Sequence, residues 1–208
     1  MQLTRLVAGI DEAGMGPLAG PVFAAAVVLP QDDVLPGVAD SKTLSAARRT
    51  RLCEEIKDAA VCWGIGRADV DEIDRFNILG AALLAMKRAV EALSTPPTLA
   101  LVDGLHRPAL ACPVRAIIHG DALVPAISAA SILAKVARDL EMAQWHERYP
   151  VYGFLHHKGY ATRMHIEALG KHGPCAIHRR SFEPVRRAAA RFALWPTGDA
   201  IATVGQED

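Results

Sequence analysis

The sequence predicts an α/β protein built on a mixed sheet flanked by helices. Three observations carry this. Apolar residues make up 51% of the 208-residue chain, enough for one well-packed domain with none of the bias of a disordered protein. Short β-type runs open the chain and later alternate with helical stretches. Three of the apolar runs stop at acidic residues: Leu6 to Ile10 before Asp11-Glu12, Thr98 to Val102 before Asp103-Gly104, and Val114 to Ile118 before His119-Gly120-Asp121.

Residues 5–10 read as a buried strand, and strands near 21–29 and 62–67 complete an antiparallel meander. Ser45 is placed to cap the first helix, in Ser45-Ala-Ala-Arg48, without the acid of a full capping box. Residues 71–93 predict one amphipathic helix whose stripe of Ile73, Leu79, Leu83, Leu84, Met86 and Val90 faces the core. Strands at 98–102 and 114–118 follow, then a long helix over 126–146. Shorter helices at 162–172 and 182–192 form a small C-terminal helical lobe over about 150–193. Residues 1–193 are expected to form a single domain without internal repeat or linker, and 194–208 a flexible tail.

A buried strand that ends in two acids must pair them with a cation or leave an expensive unpaired charge. Beside Asp11 and Glu12 lies the turn Gly14-Met15-Gly16, a backbone with little side-chain bulk that a polymer can approach closely. Asp103 and Asp121 each also fit a plain turn, and Asp121 fits a cap on the helix that begins near Pro125. In an α/β sheet, however, strand ends converge, so these acids can meet although far apart in sequence. Hard oxygen donors of this kind suit Mg²⁺ or Mn²⁺ and not zinc. The pattern points to metal-assisted chemistry on a phosphodiester.

Formal net charge is zero, yet the charge is uneven. Residues 131–191 carry 11 Lys and Arg against 5 Asp and Glu, and six of the eight histidines, whereas residues 1–130 carry 12 against 15. An acidic half beside a basic half suits a metal-dependent enzyme that holds a phosphate backbone. Cys53, Cys62, Cys112 and Cys175 show neither a Cys-x-x-Cys pair nor a zinc pattern and read as thiols in a reducing compartment. The N-terminal residues carry no secretory signal, and no apolar run reaches the roughly 20 residues of a membrane span. A cytoplasmic protein with no membrane partner, and nothing that requires more than a monomer, is therefore expected.

The ordered motifs make a resemblance specific. Besides Asp11-Glu-Ala-Gly-Met-Gly-Pro17 they include Asp40-Ser41-Lys42, Asn77-Ile78-Leu79, Asp103-Gly104, Gly120-Asp121, the stretch from Ile127 to Asp139, Tyr152-Gly-Phe-Leu-His-His-Lys-Gly-Tyr160 and His178-Arg-Arg-Ser-Phe182. Over residues 6–191 the chain resembles the bacterial type II ribonuclease H family. The resemblance implies a ribonuclease H-like fold and cleavage of the RNA strand of RNA–DNA hybrids. It also implies incision 5′ of single ribonucleotides embedded in duplex DNA, leaving 3′-hydroxyl and 5′-phosphate ends. Asp11, Glu12, Asp103 and Asp121 would be the catalytic carboxylates and metal ligands, holding Mn²⁺ or Mg²⁺, two ions during catalysis. Gly14, Met15 and Gly16 would read the 2′-hydroxyl with their backbone, and Tyr160 would pack on the neighbouring sugar. Lys42, Asn77 and Lys158 would lie near the substrate.

Two departures stand out. The family's turn is usually Gly-Arg-Gly, where this chain has Met15, and Gly120-Asp121 usually follows lysine, where this chain has His119. Fewer phosphate contacts predict weaker binding with unchanged reading of base and sugar. His119, charged only near or below about pH 6.5, predicts a steeper pH dependence. Two other readings follow: a hybrid-binding homologue with impaired catalysis, and a nuclease on the same fold that acts on branched DNA. Four carboxylates argue against the first, and the glycine turn with Tyr160 against the second.

Overall fold

The computed structural model describes residues 6–30 and 45–194. Lys42 with its Asp40-Ser41 neighbours, and the expected tail from Trp195, lie outside the described residues.

Strand β1 (Val7–Ala13) carries Gly9, Ile10 and the two acids in one run. It pairs antiparallel with β2 (Val22–Val28), which pairs antiparallel with β3 (Cys62–Ala68), giving the expected meander. On its other edge β1 pairs in parallel with β4 (Leu99–Asp103), and β4 with β5 (Val114–Ile117). The sheet order is therefore β3-β2-β1-β4-β5. β1 lies at its centre with both faces covered, which explains its unbroken apolar run. It also continues through Asp11 and Glu12 and does not stop before them, because both residues stay in register with Ala25 and Ala24 of β2.

Helix α1 (Ala46–Ala59) starts where expected, with the Ser45 hydroxyl accepting from the Arg48 N–H at 3.3 Å. Helix α2 (Val70–Glu91) is not the single helix expected. Asn77, at φ 59° and ψ 171°, breaks it. The Asn77 side-chain oxygen accepts from Leu79 N–H (2.9 Å) and Gly80 N–H (3.1 Å), so it caps the second segment. α2 packs on one face of the sheet, where Ile73, Ala81, Ala85 and Met86 meet Ile10, Ala24 and Val102. Its backbone comes so close that a Cβ at Gly66 would lie 2.0 Å from the Ala85 carbonyl oxygen. Helix α4 (Pro125–Arg148) covers the other face, where Ala129, Ile132 and Leu133 join Ala25, Val27, Leu52 and Ile56. Between β5 and α4 lies the single turn α3 (Gly120–Leu123). The cap of α4 is Val124, so Asp121 does not cap that helix but sits within α3.

Beyond α4 a 3₁₀ turn (Pro150–Tyr152) and helix α5 (Phe154–His157), neither of them expected, lead to α6 (Arg163–His172) and α7 (Glu183–Leu194). Ala19, Met142, Tyr152, Phe154 and Ile177 form the core of this lobe. Among them lie His157, His165 and His178, all buried. Burial, the first cause in each case, holds all three imidazoles below their ordinary value, and His178 falls to about 3. Tyr152, Phe154 and Cys175 pack against them, and His156 and His146 also act on His157.

Unfolded, these rings would titrate near 6.5, so below that pH the unfolded chain binds more protons. Their contribution to stability is therefore complete above about pH 6.5 and is lost as pH falls toward 3. Thermal melts from pH 7.5 down to 4 should show Tm falling below about pH 6.5. His178→Gln should flatten that fall, and an unchanged slope in the variant would contradict this origin.

Candidate active site

The parallel pairing of Ile10 with Val102 brings the ends of β1 and β4 side by side, and with them Asp11, Glu12 and Asp103. Asp121 arrives from α3, its N–H donating to Asp103 Oδ1 at 3.2 Å. This link needs Gly120, since a Cβ there would lie 2.7 Å from Ile127 Cδ1 and 3.3 Å from Asp103 Oδ1. His119, left-handed at φ 57°, turns the chain from β5 into α3. The Ser128 hydroxyl then donates to the Asp121 carbonyl. The four predicted carboxylates are therefore brought to the C-terminal edge of the parallel strands, with Asp103 close enough to act on Asp11 and Glu12, and Asp121 on Glu12.

Asp11 and Asp121 are buried, with 5% and 6% of their surface exposed. Asp11 Oδ1 accepts from the Glu12 N–H at 2.8 Å, and Ser131 of α4 also hydrogen-bonds its side chain. Burial first, then repulsion from Glu12 and Asp103, pushes the Asp11 carboxyl well above its ordinary value. Glu12 is raised as well, by burial and then by Asp103, with Asp121 adding to it. Two of the cations that line the adjoining groove are engaged elsewhere. Lys135 is paired with Asp139 at 2.5 Å, and Arg138 donates to the carbonyls of Ala19 and Pro21.

Among the described residues, no three His, Cys, Asp or Glu side chains are gathered tightly enough to hold an ion as they stand. The donor set nonetheless fits a divalent cation. It consists of hard carboxylate oxygens, and their mutual repulsion is what a bound cation would remove.

The glycine turn is built from behind by two buried arginines. The Arg179 side chain donates to the carbonyls of Gly14 (2.6 Å), Met15 (3.0 Å), Pro17 (2.7 Å), Gly20 (2.9 Å) and Pro21 (3.3 Å). Burial lowers its pKa to about 9, so it remains a cation at neutral pH. Among the described residues, all five hydrogen bonds of its guanidinium hold this loop. Arg138 packs so closely that a Cβ at Gly14, where φ is 104°, would lie 2.2 Å from its Nε. Gly14 therefore has to be glycine on two counts. Gly16 is exposed, and the one heavy atom near its missing Cβ is Tyr160 Cε1 at 3.6 Å.

Tyr160 is 44% exposed, and Arg138 lies 5.9 Å from its ring centroid. Together with Glu12, Gly14, Arg49, Ser131 and Lys135 it lines a groove of about 330 Å³. Met15 sits in a niche of about 90 Å³ with Leu79, Leu83, Met86 and Asp103, its side chain against the apolar core. Lys158, left-handed at φ 51°, ends α5 two residues before Tyr160. Asn77 is exposed and acts as a helix cap. A cavity of about 670 Å³ between Lys87, Val90, Pro96 and Leu110 contains none of the carboxylates.

Sequence reasoning missed Ser131 and Arg138 as parts of this site. Both lie on α4 with Lys135, at i, i+4 and i+7, which places the three on one face of the helix.

A sequence model described as Ribonuclease HII matches residues 8–185. The chain is 60% identical to the Ribonuclease HII of Nitrosococcus oceani over 185 residues, 89% of this chain and 92% of that protein. It is also 60% identical to that of Bordetella avium over 86% of this chain and 89% of that protein. Among solved structures, the ribonuclease H2 of Pyrococcus horikoshii OT3 matches with TM-score 0.78 at 27% identity, over 90% of this chain and 98% of that one. The Archaeoglobus fulgidus RNase HII, solved in complex with PCNA, matches with TM-score 0.65 at 28% identity, over 84% and 94%. A Bst-RNase HIII solved in complex with Mn²⁺ matches with TM-score 0.72 at 19% identity, a likeness of fold. No helix among the described residues is long and apolar enough to cross a membrane.

Proposed function

The chain belongs to the ribonuclease HII family, and from that premise we propose that it hydrolyses the RNA strand of RNA–DNA hybrids and incises 5′ of single ribonucleotides in duplex DNA. The observation that carries this reading is the groove that runs from Glu12, at the edge of the carboxylate group, to Gly14 of the glycine turn and Tyr160. Asp11, Glu12, Asp103 and Asp121 would hold divalent cations, Mn²⁺ or Mg²⁺, which when bound acidify the attacking water and stabilise charge on the departing 3′-oxygen.

The remaining work falls to the chain. Ser131 and the Glu12 N–H fix the Asp11 carboxylate, and the Asp121 N–H fixes that of Asp103. Such supports hold the donors in place before a substrate arrives. Arg138 and Arg179 hold the 14–21 backbone open, so the peptide groups of Gly14, Met15 and Gly16 can meet a 2′-hydroxyl. The exposed face of Tyr160 offers a platform for the adjoining sugar. Lys42, Asn77 and Lys158 are assigned to the flanking backbone by their place in the motifs.

Met15 places an apolar side chain where the family commonly carries a cation, in a niche where Leu79, Leu83 and Met86 adjoin Glu12, Asp103 and His106. Met15→Arg is expected to lower KM several-fold on a duplex with one ribonucleotide. It should also steepen the dependence of log affinity on log salt by about one, one more phosphate being neutralised. An unchanged KM would mean that Met15 does not weaken binding.

The reading is tested by assaying a uniform RNA–DNA hybrid, a duplex with one ribonucleotide and a branched DNA side by side. Cleavage confined to the ribonucleotide-bearing substrates supports it, and cleavage of the branched DNA alone would replace it. Binding without cleavage in either ion would favour the impaired homologue.

A further inference from the structure

The buried histidines of the C-terminal lobe touch none of the carboxylates, yet they form an ordered row that ends at Tyr160. His165 Nδ1 lies 2.9 Å from the Tyr160 carbonyl oxygen. A carbonyl only accepts, so Nδ1 carries the hydrogen and Nε2 of the neutral ring is bare. That bare nitrogen lies 3.1 Å from His178 Nε2, which must therefore donate to it. His178 Nδ1 is then an acceptor. It receives the Cys175 N–H at 2.9 Å and has the Cys175 thiol within 3.2 Å. One set of tautomers satisfies the whole row, and only with both rings neutral.

The far end of the row is joined to the glycine loop. Ala19 and His178 form an antiparallel bridge. Gly20 N–H donates to the Ile177 carbonyl at 2.8 Å, and Arg179 N–H to that of Leu18 at 2.9 Å. Leu18 N–H in turn donates to the Gly159 carbonyl at 2.8 Å, beside Tyr160. The row thus spans from the strand-like segment that carries the glycine turn to the residue facing that turn.

We propose that His165, held by His178, is a positioning residue that sets Tyr160 against the Gly14–Gly16 turn and so helps determine ribose selection. This rests on the reading of Tyr160 as a sugar platform. His165 touches no substrate in this account; it acts through the Tyr160 backbone, where a displacement of about 1 Å can cost up to roughly 10²-fold in rate.

The test is a double-mutant cycle on a duplex with one ribonucleotide, using His165→Leu, Tyr160→Ala and the pair, with His165→Asn alongside. Asparagine can keep the donor to the Tyr160 carbonyl while losing the link to His178, and it carries the cycle if the leucine variant does not fold. His165→Leu is expected to lower kcat/KM roughly 10-fold, a tenth of the limit above, and to cost nothing further once Tyr160 is alanine. His165→Asn should recover part of the loss. Losses that multiply, or an unaffected His165→Leu, overturn the proposal.

A readout independent of activity is the ring-nitrogen NMR spectrum of the wild type, expected to show hydrogen on Nδ1 of His165 and on Nε2 of His178. The opposite tautomers overturn the proposal even in an active enzyme. A wild type with these tautomers that leaves every ribonucleotide-bearing duplex intact overturns the proposed function, and ribose selection with it, while the pairing itself stands.

Discussion

Asp103→Asn is expected to abolish cleavage while leaving the fold intact and the metal-free protein at least as stable as the wild type. The loss should exceed about 10²-fold, because removing mere supports of metal ligands already costs 10- to 100-fold. The fold should survive because the Asp121 N–H donates to Asp103 Oδ1, an atom asparagine retains. Stability should not fall, because Asp103 contributes to the repulsion that raises both Asp11 and Glu12. The sign is definite. Carboxyls raised in the folded state destabilise it as pH climbs past their ordinary unfolded values, in full above the folded ones, so relieving them helps at neutral pH and not in acid. Melts of both proteins in EDTA at pH 7.5 and at pH 4 check this. A variant less stable at pH 7.5 would mean that Asp103 serves the fold.

Arg179→Met should have the largest effect on stability. Its guanidinium donates to the carbonyls of Gly14, Met15, Pro17, Gly20 and Pro21 in a fully buried setting. Leaving several buried carbonyls unpaired costs about 1–3 kcal/mol each, so the total should exceed about 3 kcal/mol. In a protein of this size that lowers Tm by roughly 6–12 °C or more. Arg179→Lys should restore little, since a single ammonium cannot span the fan of carbonyls that a planar fork reaches. Activity in either variant should fall further than stability alone explains, because the loop that presents Gly14 and Gly16 loses its template. Near-wild-type melting of Arg179→Met would show that the loop holds itself.

The positions of Asp11, Glu12 and Asp103 were legible in the sequence because each follows an apolar run at a strand end, whereas Asp121 lies beyond its strand in α3. The antiparallel meander and the later strands β4 and β5 of a mixed sheet followed from the same runs. Other features were not legible, for reasons particular to each. The break at Asn77 leaves the apolar stripe of α2 in step, since Ile73 and the later Leu83 and Met86 still serve the core, so periodicity alone reads straight through it. The turn of α5 is too short for a period to register. Arg179 could not be told from a surface cation, because its partners are backbone carbonyls more than 150 residues away, and carbonyls leave no mark in sequence. His165 and His178 read as part of a basic C-terminal surface. Burial reverses this: they are neutral members of a core that Ala19, Met142, Tyr152, Phe154 and Ile177 bring together from distant parts of the chain. Arg138 was the missed residue with a signal, sharing one face of α4 with Ser131 and Lys135.

Hydrolysis beside a lone ribonucleotide is checked by cleavage of a DNA duplex carrying one, with Mg²⁺, Mn²⁺ or EDTA, and with the cut mapped to the nucleotide. A single metal-dependent cut on the 5′ side of the ribonucleotide is expected, leaving a 3′-hydroxyl and a 5′-phosphate. Persistence of the cut in EDTA, or a cut elsewhere in the duplex, would contradict it.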